Sequence, residues 1–265
     1  MMDDYSGDAA SFDPALNMAR QSLYRFAALS LLDPLAGSWE QLNRLRDDPV
    51  LSAAAAFIRT LPAARSQELG LGERPLEDLD PQFVLDRVPD SKSAFNSLYE
   101  HTFGLLVSSA CPPYETEYVD SKLAFQRSNG LADVSGFYHA FGLTTSDQRP
   151  DRPDHVVLEL EFMAHLLGLE RDAADDDADR RAAQRLVCRE AQAHFFREHL
   201  AWWMPVFARL LGREDPQGFY ATAGVFLAAL ISAERALLGL PAASCAVGPT
   251  MVERPELCEG CQVAG

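Results

Sequence analysis

Arg149-Pro-Asp-Arg-Pro-Asp154-His155-Val-Val-Leu-Glu159-Leu-Glu-Phe162-Met163 is the stretch from which the rest of the chain can be read. A proline-bearing loop runs into Asp154, which reads as a helix N-cap, and a strongly apolar helix follows to about Glu170. Pro150 and Pro153 stiffen the approach, so the loop has few conformations to lose on folding. Asp154 and His155 therefore stand at a rigid helix entrance, where unpaired backbone N–H groups and the positive end of the helix dipole gather. His155 and Glu159 lie four residues apart, on one face, within side-chain reach.

Outward from this stretch the periodicity is helical. Asp13-Pro14 reads as an N-cap with proline at the first helical position, and Leu16, Ala19, Leu23, Phe26, Ala27 and Leu31 recur at helical spacing. Ser38 with Gln41 reads as a capping box opening a short helix, and Pro49 starts an alanine-rich one. Between Pro62 and Pro89 the glycines and prolines predict irregular chain, with one short helix after Asp80-Pro81. Phe95, Leu98, Tyr99, Thr102 and Phe103 form a stripe that stops at Gly104. Cys111-Pro-Pro-Tyr114-Glu115-Thr-Glu117-Tyr118 reads as a second proline-led helix entrance. That helix continues through Phe125, is broken at Asn129-Gly130, and is followed by another over Leu131–Phe141. Leu186, Cys188, Phe195 and Phe196 mark a helix to Leu200. Trp202, Trp203, Pro205, Phe207 and Leu210 mark the next, and Phe219–Leu238 is apolar all round, as a core helix is.

No run of alternating β-branched residues occurs, so the expected fold is all-α, a single helical domain of about ten helices with room for two lobes. Its expected limits are a flexible N-terminus over residues 1–12, a helical body over 13–240 and a cysteine-bearing flexible tail over 241–265.

Composition narrows the function. The chain has 265 residues, nearly half apolar, and a net charge of -16. That charge disfavours nucleic acid and anionic membranes and favours cationic partners, although an acidic surface also serves plain solubility. The N-terminus lacks the basic and apolar regions of a signal peptide. The longest apolar run, Ala221–Ala233, is too short to span a bilayer. Five cysteines are sparse and odd in number, which argues against a secreted disulfide framework. The expectation is a cytoplasmic protein with no stable membrane insertion, a monomer or a homodimer.

Enzyme chemistry finds little support. His155 with Glu159 and Glu161 with His165 are two i,i+4 pairs, but they point to different sides of the helix. Neither a Glu-x-x-His nor a His-Glu-x-x-His motif accompanies them. No phosphate-cradling loop, nucleophile elbow or dinucleotide fingerprint is present. No catalytic residue and no cofactor is assigned. An alternative reading places function in the tail, where Cys258-x-x-Cys261 with Cys245 could serve a small metal-binding or thiol redox module. Three thiolates fall short of a closed zinc site, and no histidine follows His199.

One resemblance covers roughly Leu16 to Leu238. Phe95-x-x-Leu-Tyr99-x-x-Thr-Phe103-Gly, Pro112-Pro-Tyr114-Glu115-Thr116-x-Tyr118, Phe137-Tyr138-x-x-Phe-Gly-Leu143 and Pro153-Asp154-His155-x-x-x-Glu159-Leu-x-Phe162-Met163 resemble, in order and spacing, the TorD/DmsD/NarJ family. These are maturation chaperones of molybdenum-containing oxidoreductases. The resemblance implies an all-helical chaperone that binds the N-terminal, usually twin-arginine, leader of a catalytic subunit and holds that subunit until its cofactor is inserted. Cys111, the cysteine tail and the acidic run Asp172–Asp179 are not general features of that family. The peptide-binding residues expected here are Pro153, Asp154, His155, Glu159, Tyr114 and Glu115. Glu159 is read as a buried partner of His155 or Tyr114, and Trp202 and Trp203 as core.

Overall fold

Aspartates followed by proline set the first half of the architecture. The structure, a computed structural model, describes residues 12–66, 68–104, 111–119, 124–144, 152–173, 177–213 and 215–243. Asp13 accepts from Ala15 and Leu16 N–H and starts α1 (Pro14–Leu31). Asp48-Pro49 starts α3 (Pro49–Thr60) and Asp80-Pro81 starts α4 (Pro81–Leu85) in the same way. Between them, α2 covers Ser38–Leu45. Then follow α5 (Lys92–Phe103), α6 (Ala124–Ala140), α7 (Val156–Asp172), α8 (Ala178–Phe195), α9 (Met204–Leu211) and α10 (Phe219–Leu237). A π-helical turn, Phe196–Leu200, carries α8 toward α9. Among the described residues there is no β-strand, so the expected all-α class holds. Cys245, Cys258 and Cys261 lie outside the described residues, as do residues 1–11.

The core forms where α10 is enclosed. Helix α1 packs against α7, α3 and α10, while α9 lies along α10 and α8 along α7. Phe26 of α1 meets Phe226 of α10 edge-on at 5.2 Å, and Phe95 of α5 meets Phe219 at 5.1 Å. Each such fully buried side chain contributes about 1.5–3 kcal/mol. By length and composition α10 could cross a membrane, yet 78% of that window is buried within the bundle. Gly224 lets α9 come close: a Cβ there would lie 2.3 Å from the Ala208 carbonyl oxygen. Two consecutive buried charges end the helix. Glu234 pairs with Arg20 of α1, and Arg235 holds Glu73 at 2.7 Å through both carboxylate oxygens, which ties the irregular segment before α4 to the core.

Three local expectations are corrected. Helix α6 runs straight through Asn129-Gly130. A glycine inside a helix costs about 1 kcal/mol relative to alanine, but here it admits a neighbour, since a Cβ at Gly130 would press on Thr116 at 3.2 Å. Ser38 forms no capping box. It is buried, and its hydroxyl donates to the Leu32 carbonyl at 2.9 Å. Asp154 is not the N-cap of α7. That position belongs to His155, whose Nδ1 accepts from Val157 N–H at 3.2 Å.

Candidate functional site

Two proline-led segments, distant in sequence, are clipped together at the head of α7. Val156 N–H donates to the Pro113 carbonyl at 2.9 Å and Glu115 N–H to the Asp154 carbonyl at 3.0 Å, an antiparallel bridge between Tyr114 and His155. Tyrosine hydroxyls satisfy the adjoining carbonyls: Tyr118 donates to Pro112 at 2.9 Å and Tyr138 to Pro153 at 2.8 Å. The prolines restrict the backbone and these bonds complete it, so the clip is preorganised. On its outer side Tyr114, Arg152, Pro153 and His155 are half-buried, with the Tyr114 and His155 rings edge-to-face at 5.2 Å.

Immediately below lies Asp154, fully buried. Its carboxylate accepts from Thr116 N–H at 3.1 Å and from the Thr116 hydroxyl at 2.8 Å. It also accepts from Arg152 Nε at 3.0 Å and Nη2 at 2.8 Å. Arg152 continues to Glu117 at 3.1 Å, and the other Glu117 oxygen lies 3.3 Å from Arg127. A buried charge needs this degree of satisfaction.

A second acidic layer sits deeper. Glu115 turns inward, where His199 Nδ1 lies 3.1 and 3.2 Å from its two oxygens and Trp202 Nε1 donates at 3.2 Å. Glu159 receives Trp203 Nε1 at 3.2 Å, and the same indole N–H reaches the His199 carbonyl at 2.6 Å. Burial, followed by the nearby charges of Glu115 and Asp154, pushes the Glu159 carboxyl well above the ordinary carboxylate range. Burial raises Glu115 as well, partly offset by His199 and Trp202. Glu159 Oε1 has no donor of its own. Protonation of Glu159 would give that oxygen a proton to donate, and Glu115 is a carboxyl with which it interacts. Asp133 Oδ2 comes within 3.3 Å of His199 Nε2 but out of line for a hydrogen bond. Cys111, which leads into the clip, is buried, and burial pushes its thiol up to about 12, so it packs as a neutral thiol.

All six residues singled out in the sequence are thus brought into one constellation, but in two classes. Tyr114, Pro153 and His155 face outward, whereas Asp154, Glu115 and Glu159 point in. Sequence reading missed Thr116, Glu117, Arg152 and His199 as members. It took Trp203 as core, where the ring does lie fully buried, and overlooked that its N–H binds Glu159. Arg152 stood inside the quoted stretch, and its place between an aspartate and Pro153-Asp154 was the available signal. Among the described residues no group of three or more His, Cys, Asp or Glu side chains could hold a metal ion.

Known proteins match this chain in sequence. The family described as Nitrate reductase delta subunit matches residues 72–209, more than half of the chain and the whole of the site. The Selenate reductase assembly chaperone protein of Thauera selenatis is 36% identical over 113 residues, 43% of this chain and 55% of its own length. The chain therefore spans little more than half of that relative. Chaperone protein TorD of Vibrio cholerae (strain N16961) is 27% identical over 197 residues, 73% of this chain and 84% of its own. The Chlorate reductase assembly chaperone protein of Ideonella dechloratans is 34% identical over 113 residues, 43% and 55% of the two chains. The all-helical fold, the clip at the head of α7 and these matches together place the chain in the TorD-like, nitrate reductase delta subunit family.

Proposed function

We propose that this chain is a cytoplasmic assembly chaperone for a molybdenum-containing oxidoreductase. On this reading it binds the basic N-terminal leader of the apo catalytic subunit at the clip and holds that subunit until cofactor insertion. The observation that carries the reading is the clip itself: a half-exposed aromatic and imidazole face, locked by main-chain bonds, over three buried carboxyl groups. A preorganised surface of this kind suits an extended peptide, because little ordering remains to oppose binding. Tyr114 and His155 supply contact area for a basic leader on the outer face of the clip. The chain's charge of -16 steers such a leader toward it. Stopped-flow mixing with a fluorescent arginine-bearing leader peptide tests this. Association should slow steeply with added salt while dissociation changes little. An association rate indifferent to salt, or no binding at all, would count against the reading.

A further inference from the structure

Resting on that reading, we propose that the clip is a guanidinium receptor filled in the free protein by the chain's own Arg152, which a client arginine displaces. Every wall of the receptor matches the guanidinium shape. Asp154 takes Nε and Nη2 side-on at 3.0 and 2.8 Å, the Thr116 hydroxyl takes Nη2 at 2.6 Å, and Glu117 takes Nη1 at 3.1 Å. The flat face of the group lies 4.2 Å from the centre of the Tyr114 ring. Two carboxylates, a hydroxyl and an aromatic plane select a planar five-donor fork over a compact ammonium.

The receptor stands without its present occupant. Tyr114, Thr116 and Glu117 belong to the other segment of the clip, and Arg127 holds the second Glu117 oxygen. Asp154 keeps its two bonds from Thr116 when Arg152 leaves. Arg152 contributes no wall, and its side chain is 36% exposed, so it can swing into water by side-chain rotation alone. An incoming arginine would remake the same bonds. The exchange then opposes the client only through the effective concentration of the tethered Arg152, and neighbouring leader residues on Tyr114 and His155 must supply the surplus. Specificity for arginine over lysine follows from the shape of the receptor.

The test uses the full-length protein, Arg152→Ala, and Arg152→Lys as the variant that keeps charge and stem should the alanine form not fold. Methylguanidinium at millimolar concentration should raise the melting temperature of Arg152→Ala, or displace the lysine of Arg152→Lys, where methylammonium does not. The arginine-bearing leader should bind the variant about tenfold tighter than wild type, because the competitor is gone, and a leader with lysines instead should gain little. No difference between the two small cations, or leader binding equal to or weaker than that of wild type, overturns the exchange. Rescue by methylguanidinium with no leader bound by either protein would retire the leader reading and leave the receptor standing.

Discussion

Asp154→Asn separates two roles for one residue. Asparagine caps helices about as well as aspartate, so a pure N-cap would lose only a few tenths of a kcal/mol. The structure instead gives Asp154 four donors, two from Thr116 and two from Arg152. Asparagine keeps one oxygen and turns an N–H₂ group toward donors. Oδ2 accepts three of the four, so asparagine with its oxygen there loses the Arg152 Nε bond outright and weakens the other three from a charged to a neutral acceptor. A bond to a charged group contributes about 1.5–3 kcal/mol. Arg152 is about one-third exposed and retains Glu117, so solvent discounts its share. The expected loss is about 2–4 kcal/mol. For a chain of this size that corresponds to a melting temperature lower by roughly 5–15 °C, read by circular dichroism at 222 nm. The double variant with Arg152→Ala should lose less than the sum of the single losses, since both break one pair. A loss below about 0.5 kcal/mol with additive behaviour would show that the buried bonds of Asp154 to Thr116 and Arg152 contribute nothing.

Two further outcomes follow from packing and protonation. Glu159 carries a carboxyl raised by burial, so its contribution to stability is present below the unfolded value, near 4.3, and is lost as pH rises through the folded value. Glu159→Gln keeps an acceptor for Trp203 and removes this loss, so its melting temperature should gain on wild type between acidic and mildly alkaline pH; parallel curves would refute a protonated Glu159. Gly224→Ala should destabilise by about 1–3 kcal/mol, because its methyl group would meet the Ala208 carbonyl at 2.3 Å. Stabilisation on urea denaturation, as expected for an open helical site, would mean that α9 does not lie so close.

Much of the bundle was legible because its signals are local. Asp13-Pro14, Asp48-Pro49 and Asp80-Pro81 carry both cap and first turn, and the apolar run of α10 needs no partner to be read. The site was legible only as a list of residues. Asp154 looked like a cap because its true partner, Thr116, lies 38 positions earlier. Glu115, at a helix entrance, looked like a peptide contact because His199 arrives from 84 positions away. Gly130 read as a breaker, since nothing nearby in sequence announces that Thr116 packs on it. In each case a tertiary contact overrode a local preference that was read correctly.

The outer face of the clip, where Tyr114 meets His155, is the place proposed for a basic leader. Isothermal titration of an arginine-bearing leader peptide into wild type, Tyr114→Ala and His155→Asn tests this directly. Asparagine keeps an N-cap acceptor for Val157 N–H while removing the ring that meets Tyr114. Both variants should remain folded and bind the leader about five- to tenfold more weakly, a loss near 1 kcal/mol. Unchanged affinity in two folded variants would place the leader elsewhere on the protein and contradict the account.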